Sequence, residues 1–260
     1  MGNDYIDYII ADQHVILKDV EKSYSEKIIY LPNCYQINSN ILIDTENKYS
    51  KTNYHLPEDS FVFGCFNSNY KISQEIYSAW LSILKETNNS VLWLYESNKI
   101  SKKNLLNEAL KEKILEDRIV FAKKLPLSEH LARISFIDLF LDTYPYNAGA
   151  TCSFAFLSNV PVLTLEGKSF TSRMAASQLL TLGLPSLIVN SVENYIKKAI
   201  SLCENKNEIV QLKKQIKECR SKNPLFNTNL FTKNIELAYI SVWENYCKGY
   251  QAKNFIIKDS

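Results

Sequence analysis

Three short stretches carry residue types suited to holding an anion. In CFNSNYKIS, Ser68 and Lys71 follow an apolar run and precede a helical pattern, and a lysine in such a turn reaches a phosphate as a point charge on a flexible stem. In PLSEHLARIS, His130 and Arg133 lie one helical turn apart on a shared face, close to a helix start that Ser128 is expected to cap. That pair suits a nucleotide base edge or a phosphate. In NAGATCS, the backbone N–H groups of Gly149, Ala150 and Thr151, with the Thr151 hydroxyl, open an apolar helix. A helix start leaves donors unpaired at the positive end of its dipole, which makes it an anion seat. Taken singly, each stretch also fits a plainer role: a surface lysine, an idle surface helix, a tight strand-to-helix turn. The third matches neither GxGxxG nor a Walker A loop.

Other chemistries find no support. The sequence has no GxSxG elbow, no HExxH motif and no histidine cluster at zinc spacing. It also lacks a DxD pair of the kind that holds a divalent metal on a diphosphate, so no metal site is expected. The six cysteines form no CxxC pair, which together with the absence of a signal peptide suggests reduced thiols in a cytoplasm. A formal net charge of +2 gives no basic field for nucleic acid. The Lys-rich KNEIVQLKKQIKECRSK interleaves acids and reads as a solvated helix face. No apolar run approaches bilayer length, so neither nucleic acid nor membrane is expected as a partner.

The elements that would position these stretches follow from the hydrophobic pattern. With 46% apolar residues in 260, the chain has material for a sizeable core. From residue 61, short apolar runs alternate with helical periodicity. FVFGCF (61–66), SVLWLY (90–95), RIVFA (118–122), DLFLD (138–142), PVLTLE (161–166) and SLIV (186–189) read as strands. Single helices fall between them: one capped by Ser73, one around LLNEALKEKIL, one in LSEHLARISFI, one stopped by Gly183 and one starting at Ser191. This alternation implies an α/β fold, a Rossmann-like parallel sheet with helices on both faces. Ligands then bind beyond the carboxyl ends of the strands, which gathers the loops after Phe66, Tyr95, Ala122, Asp142 and Glu166 around one crevice. Residues 1–60 offer two more strand-like runs, YIDYIIAD and KIIYLP, and a polar stretch from 38 to 60 that reads as a loop or hinge. Residues 205–260 read as two long helices, with no internal repeat.

Together the stretches DYIDYIIAD, YSEKIIYLP, FGCFNSNYKI, SVLWLYES, RIVFA, EHLARISFIDLFLDTYPYN, PVLTLEGKSFTSRMAASQL and NPLFNT give the chain a close resemblance. It resembles the carboxyl-terminal half of the catalytic region of SPINDLY-type O-GlcNAc transferases, glycosyltransferase family 41. The resemblance implies a GT-B architecture. Residues 61–205 would be the nucleotide-sugar-binding lobe, 1–60 a remnant of the first lobe plus hinge, and 206–260 helices packing back across the cleft. It implies a UDP-sugar donor, UDP-GlcNAc, as substrate rather than any cofactor. Lys71, also the catalytic candidate, would contact the diphosphate. Ser68, at a position where an amide is usual, His130 and Arg133 would line the donor site, and Gly149, Ala150 and Thr151 would cradle the pyrophosphate.

The implied reaction is inverting, metal-independent transfer of GlcNAc to a Ser or Thr hydroxyl of a protein or peptide acceptor. Lys71 and the helix start would stabilise charge building on the departing UDP, and no residue stands out as the base. Departures bear on this. Phe154 replaces an acid that in relatives binds the ribose hydroxyls, a loss of about 1.5–3 kcal/mol. Leu157 and Asn159 stand where relatives commonly have Trp and Gly. The family's first lobe and its tetratricopeptide array are expected to lie outside this chain. Two other readings therefore stand beside catalysis: a non-catalytic UDP-binding or interaction remnant, and one half of a split enzyme completed by a separately encoded first lobe. An exposed apolar face where such a lobe would dock is a further expectation.

Overall fold

The computed structural model describes Gly2, residues 5–38 and residues 49–259. Part of the expected polar loop, residues 39–48, lies outside them. The first strand, β1 (Tyr8–Asp12), pairs in parallel with β2 (Lys27–Leu31). From Phe61 onward the alternation read from the pattern takes shape as β3 (Phe61–Cys65), α1 (Gln74–Glu86), β4 (Ser90–Tyr95), α2 (Lys99–Lys111), β5 (Ile119–Ala122) and α3 (Leu127–Ile134). It continues through β6 (Leu139–Leu141), α4 (Ala150–Leu157), β7 (Val162–Leu165), α5 (Met174–Leu182), β8 (Ile188–Val189) and α6 (Val192–Glu204). The chain ends with α7 (Lys206–Cys219), α8 (Thr228–Cys247) and β9 (Phe255–Ile256).

Local chemistry sets the boundaries. Ser73 Oγ accepts from Ile76 N at 3.3 Å and starts α1, whose Ile76, Trp80 and Leu84 share the buried face expected from their spacing. Gly183 ends α5 in the left-handed region at φ 82°, where a Cβ would be strained. Ser191 Oγ caps α6 through Asn194 N at 3.1 Å. Ser128 does not cap α3. The helix starts two residues earlier, with Pro126 as its cap, and Pro126 O accepts from His130 N at 2.8 Å. Proline has no N–H to leave unpaired, so it ends the preceding segment at no hydrogen-bonding cost. Asn159, at φ 58°, closes α4 in the conformation where asparagine is the usual substitute for glycine.

The six-stranded sheet has the order β5-β4-β3-β6-β7-β8, all parallel. Counted from β3 this is the doubly wound order, with its switch point between β3 and β6. β3 is buried throughout, as a central parallel strand covered on both faces must be. A smaller parallel sheet, β1-β2-β9, joins the two ends of the chain. Its third strand was not legible in the sequence. Phe255–Ile256 is too short for a period and is held by pairing with Ile29 and Tyr30 and by Asn254 Oδ1 accepting from Ile28 N at 2.9 Å. Helix α8 covers this sheet through Ala238, Ile235 and Phe231, packed on Ile29 and Leu31. Its outer side exposes Tyr239, Ile240, Trp243 and Tyr246.

The small sheet is tied to the large one by polar bonds. Asp12 Oδ2 accepts from Ser177 Oγ at 2.5 Å and from Tyr35 N at 2.8 Å. Arg173 Nε donates to His14 O at 2.6 Å, and Gln36 Nε2 to Ser153 Oγ at 2.9 Å. The last bond brings residues before the large sheet to the start of α4.

Candidate functional site

The loops after β3 and β6 meet at the switch point, and the buried carboxylate of Asp142 organises the meeting. Its Oδ1 accepts from Ala148 N at 2.7 Å and Thr143 N at 2.8 Å, and its Oδ2 from Thr164 Oγ1 at 2.7 Å. Asn67 Nδ2 bridges the two loops, donating to Thr143 Oγ1 at 2.8 Å and to Asp142 Oδ1 at 3.3 Å. Burial pushes the Asp142 carboxyl up to about 6, against the pull of these hydrogen bonds and of Lys71. The loop holds a cis Tyr144–Pro145 peptide bond.

Lys71 lies at the end of a short 3-10 turn after β3. Its Nζ donates to Asn147 O at 3.0 Å and sits 3.8 Å over the Tyr146 ring, a cation–π contact. Burial pulls its pKa down, while Asp142 opposes that fall. Ser68 opens the same turn in an extended conformation, and its side chain makes no capping bond.

The start of α4 follows two residues after Asn147. Gly149 is the N-cap residue; a Cβ there would lie 2.6 Å from Met174 Cε and 3.1 Å from Gln36 Oε1, the ends of two flexible side chains that would have to shift. Ala150 and Thr151 form the first turn, whose N–H groups have no intrahelical acceptor. The Thr151 hydroxyl differs from expectation. It donates its proton to Asn67 Oδ1, so the backbone N–H groups, not the hydroxyl, are the donors left for an anion.

His130 and Arg133 share a face of α3 as their spacing requires, but they turn toward each other. Arg133 is 2% exposed. Its Nε and Nη2 lie 3.1 and 2.9 Å from His130 Nδ1, and Nη1 donates to Lys123 O at 2.6 Å. The guanidinium is thus held between His130 Nδ1 and Lys123 O. Burial, with the Arg133 charge, lowers His130 to about 4. Phe154 explains its own presence: it packs edge-on against the His130 ring, centroids 6.0 Å apart, with Phe66 on His130 at 5.4 Å.

The structure thus brings together Lys71, Gly149, Ala150, Thr151 and, through Phe154, His130. Asn67, which the sequence offered only as a polar residue of the CFNSNYKIS turn, and Asp142, Tyr146 and Asn147, to which sequence reasoning gave no role, hold the others in place. Asp142 had one signal, a charged residue closing an apolar strand run. Of the other expected loops, Glu166 is engaged by Arg173 at 3.0 Å, and Ser97 after β4 bonds Asn69. Among the described residues no group of three or more His, Cys, Asp or Glu is placed to hold a metal ion, and no helix is long and apolar enough to cross a membrane.

Comparison with known proteins bears on this geometry. Residues 36–235 match the family model for Glycosyl transferase family 41. A probable UDP-N-acetylglucosamine–peptide N-acetylglucosaminyltransferase SEC of Arabidopsis thaliana is 35% identical over 265 residues, covering 100% of this chain and 27% of that protein. A probable SPINDLY enzyme of the same named activity from Eustoma exaltatum subsp. russellianum is 28% identical, covering 95% of this chain and 27% of its own length. Among solved structures, a mutant O-GlcNAc transferase of Thermobaculum terrenum superposes with a TM-score of 0.85 at 25% identity, over 94% of this chain and 46% of that one. The chain spans about a quarter of the length of these curated relatives.

Proposed function

The chain belongs to glycosyl transferase family 41, and from that premise we propose that it is the donor-binding half of a UDP-GlcNAc-dependent protein O-GlcNAc transferase. One observation carries the reading. At the switch point of a doubly wound sheet, the Lys71 ammonium lies 3.0 Å from Asn147 O, two residues before a helix start with unpaired N–H groups. A point charge and a helix N-terminus converging on one crevice suit a diphosphate. Residues 61–205 are the nucleotide-sugar lobe of a GT-B enzyme in this reading, residues 1–60 the end of the first lobe with the hinge, and 206–260 the helices that pack back. The names of the relatives support UDP-GlcNAc as donor and a peptide as acceptor. Six unpaired cysteines support a cytoplasmic setting.

The chemistry follows from charge. An acceptor hydroxyl attacks the anomeric carbon from the face opposite UDP, its oxygen forming the new bond as the bond to the β-phosphate oxygen breaks. The hydroxyl proton leaves to a base that we do not assign. Negative charge grows on UDP during this step, and Lys71 with the α4 start stabilises it electrostatically. No step requires a metal ion.

A second reading, a UDP-binding module without turnover, is favoured by Phe154, which faces His130 and can accept no hydrogen bond. The experiment is calorimetric titration of UDP and UDP-GlcNAc into the chain. Micromolar binding of both supports the donor site, and no heat at millimolar UDP sinks it. Faster UDP release on adding peptide hydrolysate would then exclude the second reading, since a module without turnover hands no sugar to an acceptor.

A further inference from the structure

We infer that Gln36 is a positioning residue of the anion seat, which acts through Ser153 and Gln178 to fix the peptide group that aims the Ala150 N–H out of the α4 start. The three side chains form one directional run of hydrogen bonds. Gln36 Nε2 donates to Ser153 Oγ at 2.9 Å. The Ser153 hydroxyl donates onward to Gln178 Oε1 at 3.1 Å, and Gln178 Nε2 donates to Gly149 O at 3.1 Å. Reversing the Gln178 amide would set its oxygen against the Gly149 carbonyl, two acceptors face to face, so the sense of the run is fixed.

The carbonyl of Gly149 and the N–H of Ala150 belong to one planar peptide unit and point in opposite directions. Gly149 O also accepts from Cys152 N at 3.0 Å and from Ser153 N at 3.2 Å, so it lies along the helix and the Ala150 N–H points out of the start. Among the described residues that N–H donates to no carbonyl outside the helix, which leaves it to an anion. Gln178 holds the carbonyl from a further side and narrows the swing of the whole peptide plane. Ser153 is 6% exposed and Gln178 is fully buried, so little water competes for these bonds.

The far end of the run is anchored in the small sheet. Tyr35 N donates to Asp12 Oδ2 at 2.8 Å. The same oxygen accepts from Ser177 Oγ, which also lies 3.3 Å from Cys34 Sγ. Gln36 thus leaves a loop pinned between β1 and α5, and α5 itself supplies Ser177, Gln178 and the Met174 methyl beside Gly149. The placing of the small sheet therefore reaches the α4 start through side chains alone. The consequence for binding rests on the nucleotide reading above: a misdirected Ala150 N–H weakens the hold on a phosphate oxygen and leaves the nucleoside contacts as they were.

Two variants and two ligands test this. Gln36→Met and Gln178→Met keep side-chain length and remove the amide. UDP affinity should fall about threefold in the first and about tenfold in the second, where the bond to Gly149 O itself is lost. Uridine affinity, read by NMR titration, should stay at the wild-type value in both, which a general loosening of the fold would not allow. In the free protein the Ala150 amide resonance should move in each variant. An unmoved Ala150 amide in Gln36→Met, or equal weakening of UDP and uridine, overturns the proposal. Should the buried Gln178→Met fail to fold, the half-buried Gln36 site still decides. A wild-type chain that binds no UDP would overturn the nucleotide reading alone, and the Ala150 amide of Gln36→Met would then decide the positioning role.

Discussion

The ammonium of Lys71 and the carbonyl of Asn147 meet at 3.0 Å across the switch point of the sheet, joining the loop after β3 to the loop that opens α4. In this position the lysine has shed part of its water and holds its charge beside the face of Tyr146. Replacing it with alanine removes the Lys71 charge from beside the helix start. Lys71→Ala should weaken UDP binding by about ten- to hundredfold, the value of a hydrogen bond to a charged group. Calorimetry would read this, with a melting temperature close to wild type; an unchanged affinity would remove Lys71 from the site.

Phe154 lies one turn inside α4, where the donor-site reading proposed above places the nucleoside. Phe154→Asp should tighten UDP binding by about tenfold if the ribose hydroxyls lie within its reach. The same carboxylate beside the imidazole should raise the pKa of His130. Weaker binding in the variant would show that the aromatic contact, not a hydroxyl acceptor, serves the ligand there.

A Cβ at Gly149 would lie 2.6 Å from Met174 Cε, so the methionine must shift to admit one. Gly149→Ala should cost about 1 kcal/mol, the low end of overpacking, read by chemical denaturation. Because the obstacle is a flexible methionine, Met174→Ala should recover most of that loss in the double variant. Failure of the rescue would assign the glycine requirement to its backbone instead.

The buried carboxylate of Asp142 accepts hydrogen bonds from the backbone and side chains of three segments. Asp142→Ala leaves those donors without partners in a dry place. A loss of about 3 kcal/mol or more is expected, with UDP binding lost alongside because both loops depend on it. Near-wild-type stability would mean that water takes its place.

The acid dependence of stability has a defined sign at His130. Its pKa is about 4 in the folded chain against 6.5 as a free side chain, so folding favours the neutral ring. That contribution is complete above 6.5 and is lost as pH falls from there through about 4. Denaturation midpoints of wild type should therefore drop more steeply across this window than those of His130→Gln. Asp142, pushed up to about 6, works in the opposite direction but is common to both chains. Parallel profiles would contradict the burial of a neutral histidine.

Much of the fold was legible because its signals are local. Strand runs such as SVLWLY became β4 without a shift of boundary, and Ser73, Gly183 and Ser191 marked helix ends through their own hydrogen bonds and dihedrals. The doubly wound order follows from alternating strands and helices, since a parallel crossover has one preferred hand. The sequence also carried enough specific stretches to give the family. Contacts between distant segments were not written in any period. The two-residue strand β9 exists because β2 offers it an edge. The inward turn of Arg133 depends on a carbonyl ten residues away and on an aromatic ring from another loop. Spacing brought His130 and Arg133 to one helix face; only the packing of Phe66 and Phe154 around them turned the guanidinium onto the imidazole.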